Sequence, residues 1–222
     1  VAVSTPDAAG VWQKVFSPPP VAMAHASAKI LCTAHNNALS PVDQEAIHLQ
    51  TALREIKERS DSPLVIPSAR IVINGYRFGQ FLCKRVVGSF VMHDPRTPPA
   101  ADLVRYAFGR PTVAPLHFYS THRVGERPRF GRTDNVPITR IGTPTDMAVA
   151  YLVEFEGIST LITSLAPGDP LFEDLRELEG ALESGWIDRL QCIECPMKAG
   201  QTYRIAFDWR DDPGEARLIV PS

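Results

Sequence analysis

The chain has 222 residues, with 23 Lys and Arg against 25 Asp and Glu, a net charge of −2 and a pI near 6.3. That balance excludes a histone-like or polybasic nucleic-acid binder, whose affinity rests on a bulk field directed at phosphate. Hydrophobic residues at 44% and charged residues at 22% give an ordinary globular composition with a real core, and no apolar run approaches the ~20 residues of a membrane span.

Residues 1–22 hold Pro6, Gly10 and the triplet Pro18-Pro19-Pro20 without a periodic apolar face, so an extended arm is expected. A helix start follows at Ser40-Pro41-Val42-Asp43, with Ser40 as N-cap, proline in the first turn and Asp43 as the capping-box acid. Ala46, Leu49, Leu53 and Ile56 then recur at helical spacing, and Lys57 to Arg59 complement the helix dipole at its end. Arg70 to Asn74 alternates as a short strand, and Asn74-Gly75 ends it as a hairpin or a plain turn. A second helix carries Phe78, Phe81, Leu82, Arg85, Val86, Ser89 and Phe90 on one face. A third opens at Pro98-Pro99, carries Leu103, Val104, Ala107 and Phe108, and stops at Gly109 before Pro111.

Beyond Pro111 the apolar period shifts toward two. Leu116 to Tyr119 reads as a strand, and Ala148 to Glu154 with Ile158 to Leu165 as a hairpin turning at Glu156-Gly157. Leu171, Leu175, Leu178, Leu182 and Trp186 mark an acidic amphipathic helix, and Thr202 to Trp209 with Ala216 to Val220 a second hairpin. Helices in the first half and strands in the second predict an α+β fold, organised as an arm (1–22), a helical region (23–111) and a strand-rich region (112–222). No internal repeat is present.

Four cysteines, Cys32, Cys83, Cys192 and Cys195, are too few and too uneven for a disulfide framework, so reduced thiols are expected. The N-terminus lacks the basic region and apolar block of a secretory signal, which predicts a cytoplasmic protein with no membrane partner. The first residue is Val, so further sequence upstream is expected. Chemistry concentrates in Ile30-Leu31-Cys32-Thr33-Ala34-His35-Asn36-Asn37-Ala38-Leu39-Ser40-Pro41-Val42-Asp43, which sets a thiolate, an imidazole and a carboxamide ahead of the first long helix. Cys-x-x-His spacing brings both side chains onto one tetrahedral zinc ion from a tight turn; the alternative is a packed cysteine beside a surface histidine.

The wider string, Leu-Cys-x-x-His-Asn-x-x-Leu-Ser-Pro-x-Asp followed by a helix, resembles the second half of the HNH endonuclease motif of the ββα-metal, or His-Me finger, nucleases. The resemblance runs more loosely through Asn74-Gly75 and the stretch from Ala101 to Pro111, and so covers residues 25–111. It implies that Cys32 and His35 are structural-zinc ligands, that Asn36 or Asn37 is an active-site position, and that DNA is the partner. It also implies Mg²⁺ or another hard divalent ion wherever phosphodiester hydrolysis takes place. The family's general-base histidine lies on the preceding strand, and an upstream Cys-x-x-Cys completes its zinc site. This chain departs on both counts: no cysteine precedes Cys32, and the only upstream histidine is His25, seven residues before it. The expected activity is therefore that of a degenerate or incomplete metal-dependent endonuclease, with Asn36 and His25 as its catalytic candidates. The competing expectation is a non-catalytic structural or protein-interaction domain in which Cys32 and His35 only staple the fold.

A second pair, Cys192-Ile193-Glu194-Cys195-Pro196, resembles a zinc-ribbon knuckle. With Cys32 and His35 it gives the four soft ligands that Zn²⁺ takes; otherwise the two cysteines are small buried hydrophobes at a turn. His48 on the first helix is either turned toward such a metal or an exposed helix residue. His93 complements a helix dipole, and His117 and His122 are assigned no role. Arg105, Arg110, Arg123, Arg127, Arg129, Arg132 and Arg140, interleaved with Phe118, Tyr119 and Phe130, mark either a phosphate-binding face with stacking aromatics or a long solvated loop over Thr121 to Asp146. No P-loop, Gly-x-Gly-x-x-Gly or Gly-x-Ser-x-Gly string is present, so nucleotide-cofactor and hydrolase-elbow readings have no support.

Overall fold

The computed structural model describes residues 2–6, 12–15, 33–60, 70–93, 99–120, 138–142, 148–170, 172, 187–196 and 202–210. The first long helix, α2 (Ser40–Ser60), follows a short one, α1 (Thr33–Ala38). The carbonyl of Leu39 accepts the N–H groups of Val42 and Asp43, so the helix begins one residue earlier than the sequence suggests, with Ser40 inside its first turn. Val42, Ala46, Leu49, Leu53 and Ile56 form one buried stripe at the 3.6-residue period. Polar side chains tie the same helix to four other parts of the fold. Asp43 takes Lys84 of helix α3 (Gly75–His93) instead of closing a capping box, and Glu45 accepts the N–H of Asn74 at 2.7 Å. Arg59 donates to the hydroxyl of Tyr203 at 3.2 Å, and Gln50 donates to Glu156 at 2.5 Å.

Strand β3 (Arg70–Asn74) runs directly into α3, and Asn74 Oδ1 accepts the N–H of Arg77 at 2.9 Å. Asn74-Gly75 is thus a strand-to-helix corner capped by the asparagine, neither of the two turns read from the sequence. Helix α3 buries Phe78, Phe81, Leu82, Val86, Ser89 and Phe90, the face its spacing predicts. Helix α4 (Ala101–Ala107) buries Leu103, Tyr106 and Ala107 and ends before Gly109 at φ 66, the left-handed conformation that favours glycine.

Two sheets complete the α+β fold. The larger has the order β2-β1-β5-β6-β7-β4-β8, built from β1 (Ala2–Pro6), β2 (Trp12–Val15), β4 (His117–Ser120), β5 (Ile138–Gly142), β6 (Ala148–Phe155), β7 (Ile158–Thr163) and β8 (Ile187–Asp188). The smaller has the order β3-β10-β9, with β9 (Cys192–Pro196) and β10 (Thr202–Asp208). The β6–β7 hairpin turns where predicted, with Glu156 at φ 48 and Gly157 at φ 80, the pair of positive angles a two-residue type I′ turn requires.

Strand pairing bears on three further readings. The N-terminal arm supplies an antiparallel pair, β1 and β2, and β1 joins β5 in parallel, because an extended segment beside a sheet gains backbone partners. The stretch from Thr121 to Asp146 contains β5, whose Ile141 is buried beside Ala150 and Leu152. The partner strand expected for 202–209 lies outside the described residues at 216–220, and both edges of β10 are already occupied by β3 and β9. The acidic helix expected over 171–186 also falls outside the described residues, apart from Phe172.

Alternation along the strands of the larger sheet divides its core between two faces. Phe118, Tyr151, Val153, Phe155, Ile158 and Ile162 join the core built by α2, α3 and the smaller sheet. Tyr119, Ile141, Ala150, Leu152, Leu161 and Phe172 form a separate cluster on the opposite face.

Trp209 seals the corner between β3 and α3. Its Nε1 donates to the Leu190 carbonyl at 3.0 Å, and a Cβ added at Gly75 would lie 2.5 Å from its ring. Gly75→Ala is expected to lower the stability of the fold by about 1–3 kcal/mol, because an indole fixed by a buried hydrogen bond cannot yield to the new methyl. Gly168→Ala serves as the control, having open space around the added Cβ and only the local strain of its positive φ. Urea unfolding of the two variants measures the difference.

Candidate functional site

The segment singled out by its sequence divides into two parts. His35 and Asn36 occupy neighbouring positions in α1, while Cys32 and His25 lie outside the described residues. The second part is explained by folding: Leu39 and Val42 are buried in the main core, and Lys84 Nζ donates to both carboxylate oxygens of Asp43 at 2.8 and 2.6 Å. The Leu-Ser-Pro-x-Asp run therefore anchors the start of α2 onto α3. Arg85, next to Lys84, is largely buried. Desolvation pulls its guanidinium below the usual arginine range, partly offset by the charge of Asp43, and its Nε has no hydrogen-bond partner among the described residues.

The Cys192-x-x-Cys195 pair is placed differently from the knuckle expected of it. Both residues lie on β9, where side chains alternate between faces, so positions three apart point to opposite sides of the sheet. Ile193 and Cys195 face the core, whereas Cys192 and Glu194 are half-buried on the other face. The two sulfurs therefore cannot close on one ion. Burial pushes the Cys195 thiol up to about 11 and also raises that of Cys192, which opposes the thiolate form a metal needs. Among the described residues no three His, Cys, Asp or Glu side chains come together as a metal site.

The aromatic and basic face read from the sequence is also changed. Phe118 and Tyr119 are buried on opposite faces of a strand flanked by β7 and β8, so neither is open for a base to stack on. Arg105 donates to the Pro111 carbonyl at 3.3 Å. Arg123, Arg127, Phe130, Arg129 and Arg132 lie outside the described residues, as does His122. His48 is an exposed helix residue with its Nδ1 3.8 Å from Glu45.

A cluster that sequence reasoning missed sits at the β8 edge of the larger sheet. His117 Nδ1 lies 3.0 Å from Asp188 Oδ2, and Asp188 Oδ1 accepts the N–H of Phe118 at 3.0 Å. Arg189, buried and at φ 50, donates from NH1 to Asp188 Oδ2 at 3.2 Å and from NH2 to the Leu116 carbonyl at 3.5 Å. The His117 ring stacks on that of Tyr119, with centroids 5.5 Å apart and planes 19° from parallel. Asp188 and His117 are 71 residues apart, and neither stands in a motif, so only the pairing of β4 with β8 reveals them together.

Burial acts to raise the Asp188 carboxyl, but the bonds from His117 and Phe118 and the charge of Arg189 outweigh it and hold the group below its ordinary value. A depressed carboxyl adds stability above its unfolded value, and that stability is lost as pH falls through the folded one. Asp188→Asn is therefore expected to cost about 1–3 kcal/mol near neutrality. The gap from the parent protein should narrow as pH drops below about 4, as followed by urea unfolding across pH.

Comparison with protein-family models, with curated proteins and with solved structures found no match to this chain.

Proposed function

We propose that the chain is an HNH-like, nucleic-acid-associated protein in which the Cys32 to Asn37 run meets metal and phosphate. The observation that carries this reading is positional. The run opens onto α1 and α2, and the cations Lys84 and Arg85 of α3 lie at the same end of α2, where Asp43 acts on both. The positive charge of Arg85 would draw a backbone phosphate of DNA toward this end of α2, an attraction that positions a protein on nucleic acid without reading its sequence. Cys32 and His35 supply two of the four ligands of a structural zinc, and Asn36 orients the scissile phosphate or a hard divalent ion. Cleavage requires in addition a general-base histidine, the role left to His25. A cytoplasmic location belongs to the same reading. Among the described residues no helix is long and apolar enough to cross a membrane.

The second reading, a non-catalytic interaction domain, draws on the anchoring role of Leu39, Val42 and Asp43, which accounts for half of the motif without any chemistry. Three measurements separate the readings: zinc content, plasmid nicking and DNA retention. Nuclease kinship predicts zinc in the purified protein, nicking of supercoiled plasmid in Mg²⁺ or Mn²⁺, and loss of nicking in Asn36→Ala with folding intact. Arg85→Gln is expected to weaken DNA retention about tenfold at low salt, with the loss vanishing as salt rises. A zinc-free protein of normal stability that retains no DNA would leave the interaction domain as the function.

A further inference from the structure

Two cations and one carboxylate meet where the start of α2 packs on α3. Lys84 Nζ donates to both oxygens of Asp43, and the same carboxylate acts on the guanidinium of Arg85, so one positive charge is left in excess. Glu45, on the same turn as Asp43, accepts a backbone N–H fixed in the fold and keeps only 14% of its side chain in solvent. Asp43 instead holds the end of a long, flexible side chain, and it keeps 39% of its own side chain in solvent against 20% for Lys84. The carboxylate is therefore the more open member of the pair. A pair exposed to this degree is weakly held, because water solvates each member when they part.

We infer that Asp43 is an internal competitor for nucleic acid: it holds Lys84 in the place a backbone phosphate takes, and binding exchanges the Asp43–Lys84 pair for a phosphate–Lys84 pair beside Arg85. The inference rests on the nucleic-acid reading proposed above and adds to it what restrains the binding. Phosphate and carboxylate oxygens are alike as acceptors for an ammonium, so one can replace the other on Lys84 without a change in the helices. Before the exchange, Asp43 offsets the repulsion between two cations that are neighbours on α3, and it weakens the field they present to solvent. After the exchange, its carboxylate is released to water, and phosphate takes over the neutralising charge. No covalent bond forms or breaks. The affinity of the chain for a phosphodiester backbone is thus set below what Lys84 and Arg85 would give alone.

The test is fluorescence anisotropy of a labelled duplex DNA oligonucleotide titrated with the full chain at low salt. Asp43→Asn is expected to tighten binding about fivefold, because an opposing charge beside the phosphate is removed, and the gain should shrink as salt rises. Glu55→Gln controls for net charge. It also removes a carboxylate paired with an arginine, but roughly 18 Å further along α2, and is expected to change affinity by less than about twofold. Asp43→Ser, another short polar residue, carries the same expectation and serves if the asparagine variant fails to fold, with circular dichroism checking both. A purely structural Asp43 would lose stability to urea on substitution and leave DNA affinity unchanged or weaker. That result in a folded variant, or a gain no larger than that of Glu55→Gln, overturns the inference; parent binding that Arg85→Gln weakens then leaves the nucleic-acid reading standing without it. No binding by the parent or by either Asp43 variant overturns both.

Discussion

Burial of one face of α2 is the constraint on which the rest of this structure depends. Leu49, Leu53 and Ile56 are almost fully enclosed, and side chains of this size contribute roughly 1.5–3 kcal/mol each when removed from water. The polar ties of the same helix are of a smaller order: a partly exposed pair such as Lys84 and Asp43 is worth about 0–1 kcal/mol. Apolar burial therefore supplies the stability, and the polar ties set which way the helix lies. Asp43 fixes its start against α3, Gln50 its middle against the β6–β7 turn, and Arg59 its end against β10.

That arrangement bears on how the motif ahead of α2 is understood. Residues Leu39 to Asp43 are accounted for by packing and by one ion pair, so folding alone explains that half of the motif. On the function proposed above, chemistry falls to the six residues from Cys32 to Asn37. Arg85 stands out energetically because a buried guanidinium keeps its cost unless an acceptor answers each donor.

The edge of the larger sheet poses the opposite case, in which geometry exists without a motif. Strand β8 has two residues, and the Asp188 carboxylate secures it by bonding to β4 through the backbone of Phe118 and the ring of His117. The same bonds orient an imidazole above a buried phenol. A contact that holds a short edge strand in place thus also fixes a tautomer, and the strained φ of Arg189 is the local cost of aiming its guanidinium at that carboxylate.

Local physics made much of the fold legible. The stripe from Val42 to Ile56, the apolar face of α3, the stop at Gly109 and the turn at Glu156-Gly157 each depend on neighbours within a few residues, and each is present. What the sequence could not determine depends on partners far along the chain. Whether Cys192 and Cys195 sit in a turn or along a strand is decided by Tyr203 and Ala206 pairing beside them, and that pairing sends the two sulfurs to opposite faces. Whether Asn74-Gly75 starts a hairpin or a helix is decided by Glu45, Arg77 and the indole of Trp209. His117 gains a role only when a strand 71 residues away delivers Asp188, because spacing encodes what a single helix or hairpin can do and sheet register alone brings distant side chains onto one face.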